Sequence, residues 1–172
     1  QGYQASASFA DYQVGRLLDA LDKSGKADNT IIVLWSDHGY HLGEKDHWEK
    51  FVLYEKATHI PFIIIAPGYK KGQICHRPVT LVDLYPTLTE LCGLPNPVHL
   101  EGMSLVPLLK RPKSKWDPAL ITYQQGNHAV RSDRYRYIKY KHGDEELYDL
   151  EKDPNEWTSI AFRKGTPKII KK

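Results

Sequence analysis

At 172 residues, 41% of them hydrophobic and 26% charged, the chain has the length of one domain or of one domain with a small appendage, and the composition of a globular protein. A net charge of +3, much of it from the Lys-rich end Lys164–Lys172, leaves no clustered basic face elsewhere and argues against nucleic-acid binding. No apolar run approaches the roughly 20 residues of a membrane span.

The first element in the sequence is a helix. Ala10, Val14, Leu17, Leu18 and Leu21 recur at helical spacing on one face, Gly25 is placed to stop it, and Asp28-Asn29 makes the following turn. Thr30–Trp35 is an uninterrupted β-branched run, the composition of a parallel strand covered on both faces. It ends abruptly at Ser36-Asp37-His38-Gly39. Phe51–Ala57 reads as a short helix, and Phe62–Ala66 as a second buried strand closed by Pro67-Gly68. Asp83 is placed to cap a helix running to Cys92, with Gly93 as its end, and Ser104–Leu109 gives at most a short helical piece.

From about Trp116 the texture changes. Leu120–Tyr123, Ala129–Arg131, Tyr135–Tyr140 and Glu146–Leu150 are short segments between polar turns, the spacing of an antiparallel sheet. Gly143-Asp144 marks a hairpin tip and Asp153-Pro154 the end of the last strand. The expected division is therefore an α/β part over 1–115 and a small antiparallel β subdomain over 116–172, ending in a solvated basic tail. The first part has only two apolar strands, too few to cover themselves as a doubly wound sheet. This favours a chain that is the carboxyl-terminal part of a larger α/β protein. The chain opens Gln1-Gly2-Tyr3 without Met, so its natural start is expected upstream.

Ligands of open α/β sheets bind beyond the carboxyl ends of strands, which is where Asp37 and His38 fall. The residues alone leave two readings open: a turn that Asp37 caps, or a ligating or catalytic pair. A serine relay from Ser36-Asp37-His38 is excluded, because successive residues of an extended chain point to opposite faces. His41, His47 and His59 invite a zinc proposal, but His38-x-x-His41 lacks a second close pair, and exposed loop histidines remain the alternative. Lys50, twelve positions beyond His38, is either a surface lysine or an ammonium folded back over the strand end to hold an oxyanion. Cys75 and Cys92 lack Cys-x-x-Cys spacing and leave a disulfide or two separate thiols open.

A family resemblance narrows these choices. Ser36-Asp-His-Gly-Tyr-His-Leu-Gly-Glu44, Trp48-Glu-Lys50, Tyr54-Glu-Lys-Ala-Thr58 and Pro61-Phe-Ile-Ile-Ile-Ala-Pro-Gly68 resemble the carboxyl-terminal half of a sulfatase. The similarity is to the iduronate-2-sulfatase and choline-sulfatase-like branch of the alkaline-phosphatase-like superfamily. Ser8–Leu21, Val82–Leu88, Asn127–Arg131, Arg134–Ile138 and Glu146–Leu150 with Asp153-Pro154 extend it, in order, over nearly the whole chain.

The resemblance implies hydrolysis of sulfate esters, of a sulfated sugar or a small alcohol. The nucleophile would be a formylglycine made from the Cys or Ser of a Cys/Ser-x-Pro/Ala-x-Arg motif, assisted by one divalent cation, normally calcium. Asp37 and His38 match the family's metal-site residues, and Lys50 its sulfate-contacting lysine. His41, His47 and Trp48 are candidate substrate-pocket residues. The motif itself is absent: Cys75 is followed by His76-Arg77-Pro78 and Cys92 by Gly93-Leu94-Pro95. The paired Asp metal ligands that the family carries near its amino terminus have no counterpart here either, so this chain alone is expected to be inactive and to need the amino-terminal part as partner. The resemblance also implies an extracytoplasmic location: periplasmic, secreted or lysosomal. A phosphodiesterase or phosphonate hydrolase of the same superfamily is the nearest alternative, and a non-catalytic truncated paralogue the other.

Overall fold

The computed structural model describes residues 2–95, 97–164, 166 and 170. In chain order the elements are α1 (Gly2–Lys23), β1 (Ile32–Trp35), β2 (His41–Leu42), β3 (Trp48–Glu49), α2 (Glu55–Thr58) and β4 (Phe62–Ile65). There follow α3 (Leu84–Leu91), α4 (Val106–Lys110), β5 (Ala119–Thr122), β6 (His128–Arg131), β7 (Tyr135–Lys139) and β8 (Glu145–Asp149). Short 3-10 turns occupy Ala27–Asn29, Glu44–Asp46 and Leu81–Asp83. No helix of the described residues is long and apolar enough to cross a membrane. The Lys-rich tail expected at 164–172 lies, apart from 164, 166 and 170, outside the described residues.

The chain divides into two compact units. One comprises Gln1–Val33 and Ile63–Tyr69, the other Leu34–Phe62 and Lys70–Lys172. In the first, α1 begins at Gly2 rather than near Ala10, and its apolar stripe contains no buried residue. Leu17 is 72% exposed. The helix stops where Gly25, at φ 68°, turns its N–H onto the Asp22 carbonyl, a conformation glycine adopts without strain. β1 and β4 pair as a two-stranded sheet. The sequence leads one to expect both strands buried on both faces, but β1 has no buried residue and Ile63 in β4 is 48% exposed. Two strands cannot cover each other's faces, so nothing within these residues replaces water there.

The second unit has its core against the four-stranded sheet, whose order β5-β6-β7-β8 is antiparallel throughout. Registers Ala129↔Ile138↔Glu146 and Arg131↔Arg136↔Tyr148 put these six residues on one face, because side chains alternate along a strand. Ala129, Ile138 and Tyr148 pack with Leu53, flanked by Tyr54, Ile121 and Tyr140. Ile138 and Leu147 are 0% and 1% exposed. Each such burial contributes about 1.5–3 kcal/mol. The hairpin tip falls at Gly143 as expected, with φ 96° and its N–H on the Tyr140 carbonyl.

Asp83 precedes α3 as expected, but its buried side chain makes no cap bond to that helix; it closes a capping box with Thr80 on the 3-10 turn Leu81–Asp83 instead. One carboxylate oxygen takes the Thr80 N–H and the other the Met103 N–H, while Thr87 Oγ1 donates to the Asp83 carbonyl and accepts the Leu105 N–H. These bonds tie the start of α3 to the approach of α4. Cys75 and Cys92 are free, exposed thiols.

The helix expected at Phe51–Ala57 is the clearest correction. Only Glu55–Thr58 is helical, and Tyr54 before it is extended at φ −85°, ψ 161°. The reason is tertiary: the Leu53 carbonyl is taken by the Arg136 guanidinium at 2.8 Å, so it is not available to a helical ladder. The β2–β3 ribbon was not expected from sequence at all. It pairs His41 with Glu49 and Leu42 with Trp48 around Gly43, at φ 115°.

Candidate active site

Beyond the end of β1 the chain makes a tight turn that fixes three polar groups. Ser36 Oγ donates to the His38 carbonyl at 2.7 Å, and His38 Nδ1 lies 2.7 Å from the Gly39 carbonyl. A carbonyl oxygen only accepts, so Nδ1 carries a proton and Nε2 is free to act as acceptor or ligand. Lys50 Nζ approaches Nε2 at 2.7 Å, and Asp37 Oδ2 lies 3.3 Å from the same nitrogen. Asp37 is 81% exposed in its side chain and His38 33%, so the carboxylate stands open while the imidazole is held.

The third residue of Asp37-His38-Gly39 has a steric reason. Gly39 N–H donates to the Ala57 carbonyl at 2.8 Å, and a Cβ at Gly39 would stand 2.0 Å from the Lys56 carbonyl oxygen. The turn is thus pressed against the backbone of α2, where only glycine fits.

Lys50, Phe51, Val52 and Leu53 lead from β3 into α2 without regular structure. Lys50 Nζ lies 5.6 Å from the centre of the Phe51 ring, which stacks on Tyr123 at 6.0 Å. Glu55 at the start of α2 is held by two guanidiniums: Arg131 Nε at 3.1 Å and Arg136 Nη2 on the same oxygen. His59 Nδ1 is 3.2 Å from its other oxygen. The Glu55 N–H donates to Glu156 Oε2 at 2.8 Å, and Glu156 Oε1 lies 2.8 Å from Arg136 Nε. Burial raises the Glu55 carboxyl, but Arg136 and Arg131 outweigh it and hold the group below the usual carboxylate range. At Glu156 burial wins over the pull of Arg136, and the carboxyl is pushed up.

A second polar cluster lies beside this one. Tyr54 Oη and Tyr140 Oη both donate to Glu146 Oε1, at 3.1 and 3.2 Å, and Tyr148 Oη donates to Oε2. Lys45, at φ 57°, sets its ammonium 4.4 Å above the Tyr54 ring and donates to the Glu156 carbonyl at 2.6 Å. Burial first, then the Tyr140 hydrogen bond and the Glu146 charge, push the Tyr54 phenol far up, so it stays a neutral donor.

Of the sequence-derived site residues, the fold brings Asp37, His38 and Lys50 together. His41 is 1% exposed, with Nδ1 3.1 Å from the Glu44 carbonyl and its ring meeting that of His47 edge-on at 5.5 Å. Trp48 is 65% exposed. His59 stands apart, at the end of α2. Sequence reasoning missed Arg136 and Glu156. Arg136 had a signal: in Tyr135-Arg-Tyr-Ile-Lys139 it shares the period-2 face of Ile138, and a charge at an inward position requires a buried partner. Glu156 had none.

A carboxylate oxygen and an imidazole nitrogen 3.3 Å apart suit a divalent cation. Among the described residues no group of three or more His, Cys, Asp or Glu is placed to hold one, and calcium takes six to eight oxygens. Asp37 and His38 fit as part of such a site, not as the whole.

The model of the family described as Sulfatase matches residues 1–94. A sulfatase of Formosa agariphila is 49% identical over 94% of this chain and 32% of its own length. An arylsulfatase of Clostridium perfringens is 35% identical over 92% of the chain and 35% of its own length. Among solved structures, one in complex with its substrate D-glucosamine-2-N,6-O-disulfate superposes with a TM-score of 0.79 at 29% identity, over 94% of this chain and 36% of that one. A 2-O GAG sulfatase gives 0.81 at 31% identity over 94% and 38%. The phosphonate monoester hydrolase of Agrobacterium radiobacter gives 0.80 at 28% identity over 92% and 36%.

The fold and these likenesses define the class: an α/β protein with part of an alkaline-phosphatase-like core and a small antiparallel sheet at its carboxyl end. The chain belongs to the sulfatase family. It spans about a third of the length of the curated relatives it matches.

Proposed function

We propose that this chain is the carboxyl-terminal portion of a sulfuric-ester hydrolase of the iduronate-2-sulfatase and choline-sulfatase-like branch. The observation that carries the proposal is the convergence of Asp37, His38 and Lys50 beyond the end of β1. In this reading the domain division falls near residue 115, the enzyme acts outside the cytoplasm, and this chain alone is inactive because the amino-terminal part supplies the nucleophile.

Asp37 and His38 Nε2 are the residues of this chain that would hold calcium. Calcium, when bound, polarises the sulfate, while the formylglycine expected upstream supplies the nucleophile. Lys50 Nζ lies on the single lone pair of His38 Nε2, so a cation held by Nε2 would take the place of that hydrogen bond and leave the ammonium beside it. The ammonium donors would then stabilise negative charge growing on the sulfate oxygens and on the departing alcohol oxygen. His47 and Trp48 are the chain's candidates for contact with the rest of the substrate, whereas His41, at 1% exposure, is walled off from it. A sulfated sugar is the substrate class that the two solved sugar-sulfate enzymes support.

The likeness to a phosphonate monoester hydrolase favours one second reading, hydrolysis of phosphonate or phosphate esters, because cation and lysine serve a phosphoryl group equally well. The test is the full-length enzyme assayed on an aryl sulfate, an aryl phosphate diester and an aryl phosphonate monoester. A kcat/KM for the sulfate at least tenfold above both others is expected, and the reverse order overturns the sulfatase reading.

A further inference from the structure

Both arms of the proposed site lead to α2, whose first residue, Glu55, is held by Arg131 and by the buried Arg136. The Asp37-His38-Gly39 turn is fixed to its far end, through the Gly39 N–H on the Ala57 carbonyl and the close pass of Gly39 to the Lys56 carbonyl. Lys50 lies on the segment that leads into its near end, three residues before Leu53. Residues 50–54 have no helical ladder of their own, so their path depends on what takes their backbone groups. Arg136 Nη1 takes the Leu53 carbonyl at 2.8 Å, its Nη2 takes the Glu55 carboxylate, and its Nε faces Glu156 Oε1 at 2.8 Å. Glu156 in turn caps the Glu55 N–H. At 1% exposure Arg136 cannot exchange these partners for water; its two Nη groups hydrogen-bond, and its Nε meets Glu156 as a close ion pair without hydrogen-bond geometry.

We propose that Arg136, with Glu55 and Glu156, is a positioning clamp that sets the reach of Lys50 onto His38, so that the small carboxyl-terminal sheet tunes a site to which it contributes no contacting residue. The proposal rests on the reading of Lys50 as the sulfate-contacting lysine. The clamp is charge-balanced, two guanidiniums of Arg131 and Arg136 against two carboxylates, so it resists rearrangement without drawing charge from the site. Lysine at position 136 keeps the charge but offers no fork. It would satisfy one carboxylate and leave the Leu53 carbonyl free to move, carrying Lys50 with it.

The test uses the full-length enzyme in four forms: wild type, Arg136→Lys, Lys50→Ala and the double variant, with Arg134→Met as a control that breaks the Arg134–Asp149 pair on the same sheet. Activity is read on an aryl sulfate, and crystal structures are determined for wild type, Arg136→Lys and Arg134→Met. Expected are a fall in kcat of about tenfold or more for Arg136→Lys, no further fall when it is added to Lys50→Ala, and no kinetic change for Arg134→Met. In calcium-free crystals of Arg136→Lys the Lys50–His38 contact opens by an ångström or more, while calcium-free crystals of Arg134→Met retain it. Independent, additive losses in the cycle, or an Arg136→Lys crystal with that contact unchanged, overturn the clamp. A fully active Lys50→Ala overturns the reading of Lys50 instead, and the crystal comparison still decides whether Arg136 sets the contact.

Discussion

Lys50 Nζ lies 2.7 Å from His38 Nε2 across twelve positions of sequence, with the β2–β3 ribbon between them. The ribbon is what returns the chain to the strand end. Because His38 Nδ1 is committed to the Gly39 carbonyl, Nε2 is an acceptor and the contact is a hydrogen bond from ammonium to imidazole.

From this contact, Lys50→Ala in the full-length enzyme is expected to lower kcat on an aryl sulfate by about 10²–10³-fold, the range for losing one preorganised donor to a developing oxyanion. Lys50→Arg keeps the charge but not the compact ammonium, and is expected to recover only part of the loss. Steady-state kinetics on purified variants checks both.

Asp37 stands open to solvent at 81% exposure, and among the described residues its side chain approaches only His38. Asp37→Ala is therefore expected to leave the calcium-free melting temperature of the full-length enzyme nearly unchanged. The rise in melting temperature on adding calcium should shrink, because stabilisation by a ligand follows its affinity. Thermal scans across a calcium titration read the difference.

Gly39→Ala places a methyl 2.0 Å from the Lys56 carbonyl oxygen, and backbone rather than a flexible side chain must give way. A loss of about 1–3 kcal/mol is expected, the usual range for overpacking. Equilibrium denaturant unfolding of the full-length enzyme measures it, and the variant should also lose activity, since α2 and the His38 turn are forced apart.

Glu55 titrates below the ordinary glutamate value because Arg136 and Arg131 outweigh the cost of its burial. A carboxyl depressed on folding stabilises fully above its unfolded value, about 4.3, and that contribution is lost as pH falls through the lower folded value. Glu55→Gln is thus expected to lower the melting temperature at pH 7, by a margin that narrows as pH falls below about 4.3. Melting curves at half-unit steps from pH 7 downward show whether the two lines draw together.

Strong local patterns were legible in the sequence. The helical stripe from Ala10 to Leu21 lies in α1, the four short alternating segments are β5–β8, and Gly143 turns a hairpin; Asp83 stands before α3 but caps the 3-10 turn ahead of it. Asp37, His38 and Lys50 were singled out from their place after a β-branched run and from family resemblance, and the fold brings them within hydrogen-bonding reach. Phe51–Ala57 misled because its apolar spacing is helical, whereas the direction of the Leu53 carbonyl is decided by an arginine 83 residues away.

What the sequence determined by itself is what depends on near neighbours: periodicity, turn chemistry at glycines, and an Asp-His pair where a strand must end. What only the tertiary structure decided is everything that depends on partners distant along the chain. Arg136 could be read as an inward charge but not matched to Leu53, Glu55 and Glu156. Gly39 could be read as a turn residue but not as the point where α2 passes too close for a side chain. A buried charge and a backbone contact are satisfied by whatever the fold brings near, and sequence order does not encode that distance.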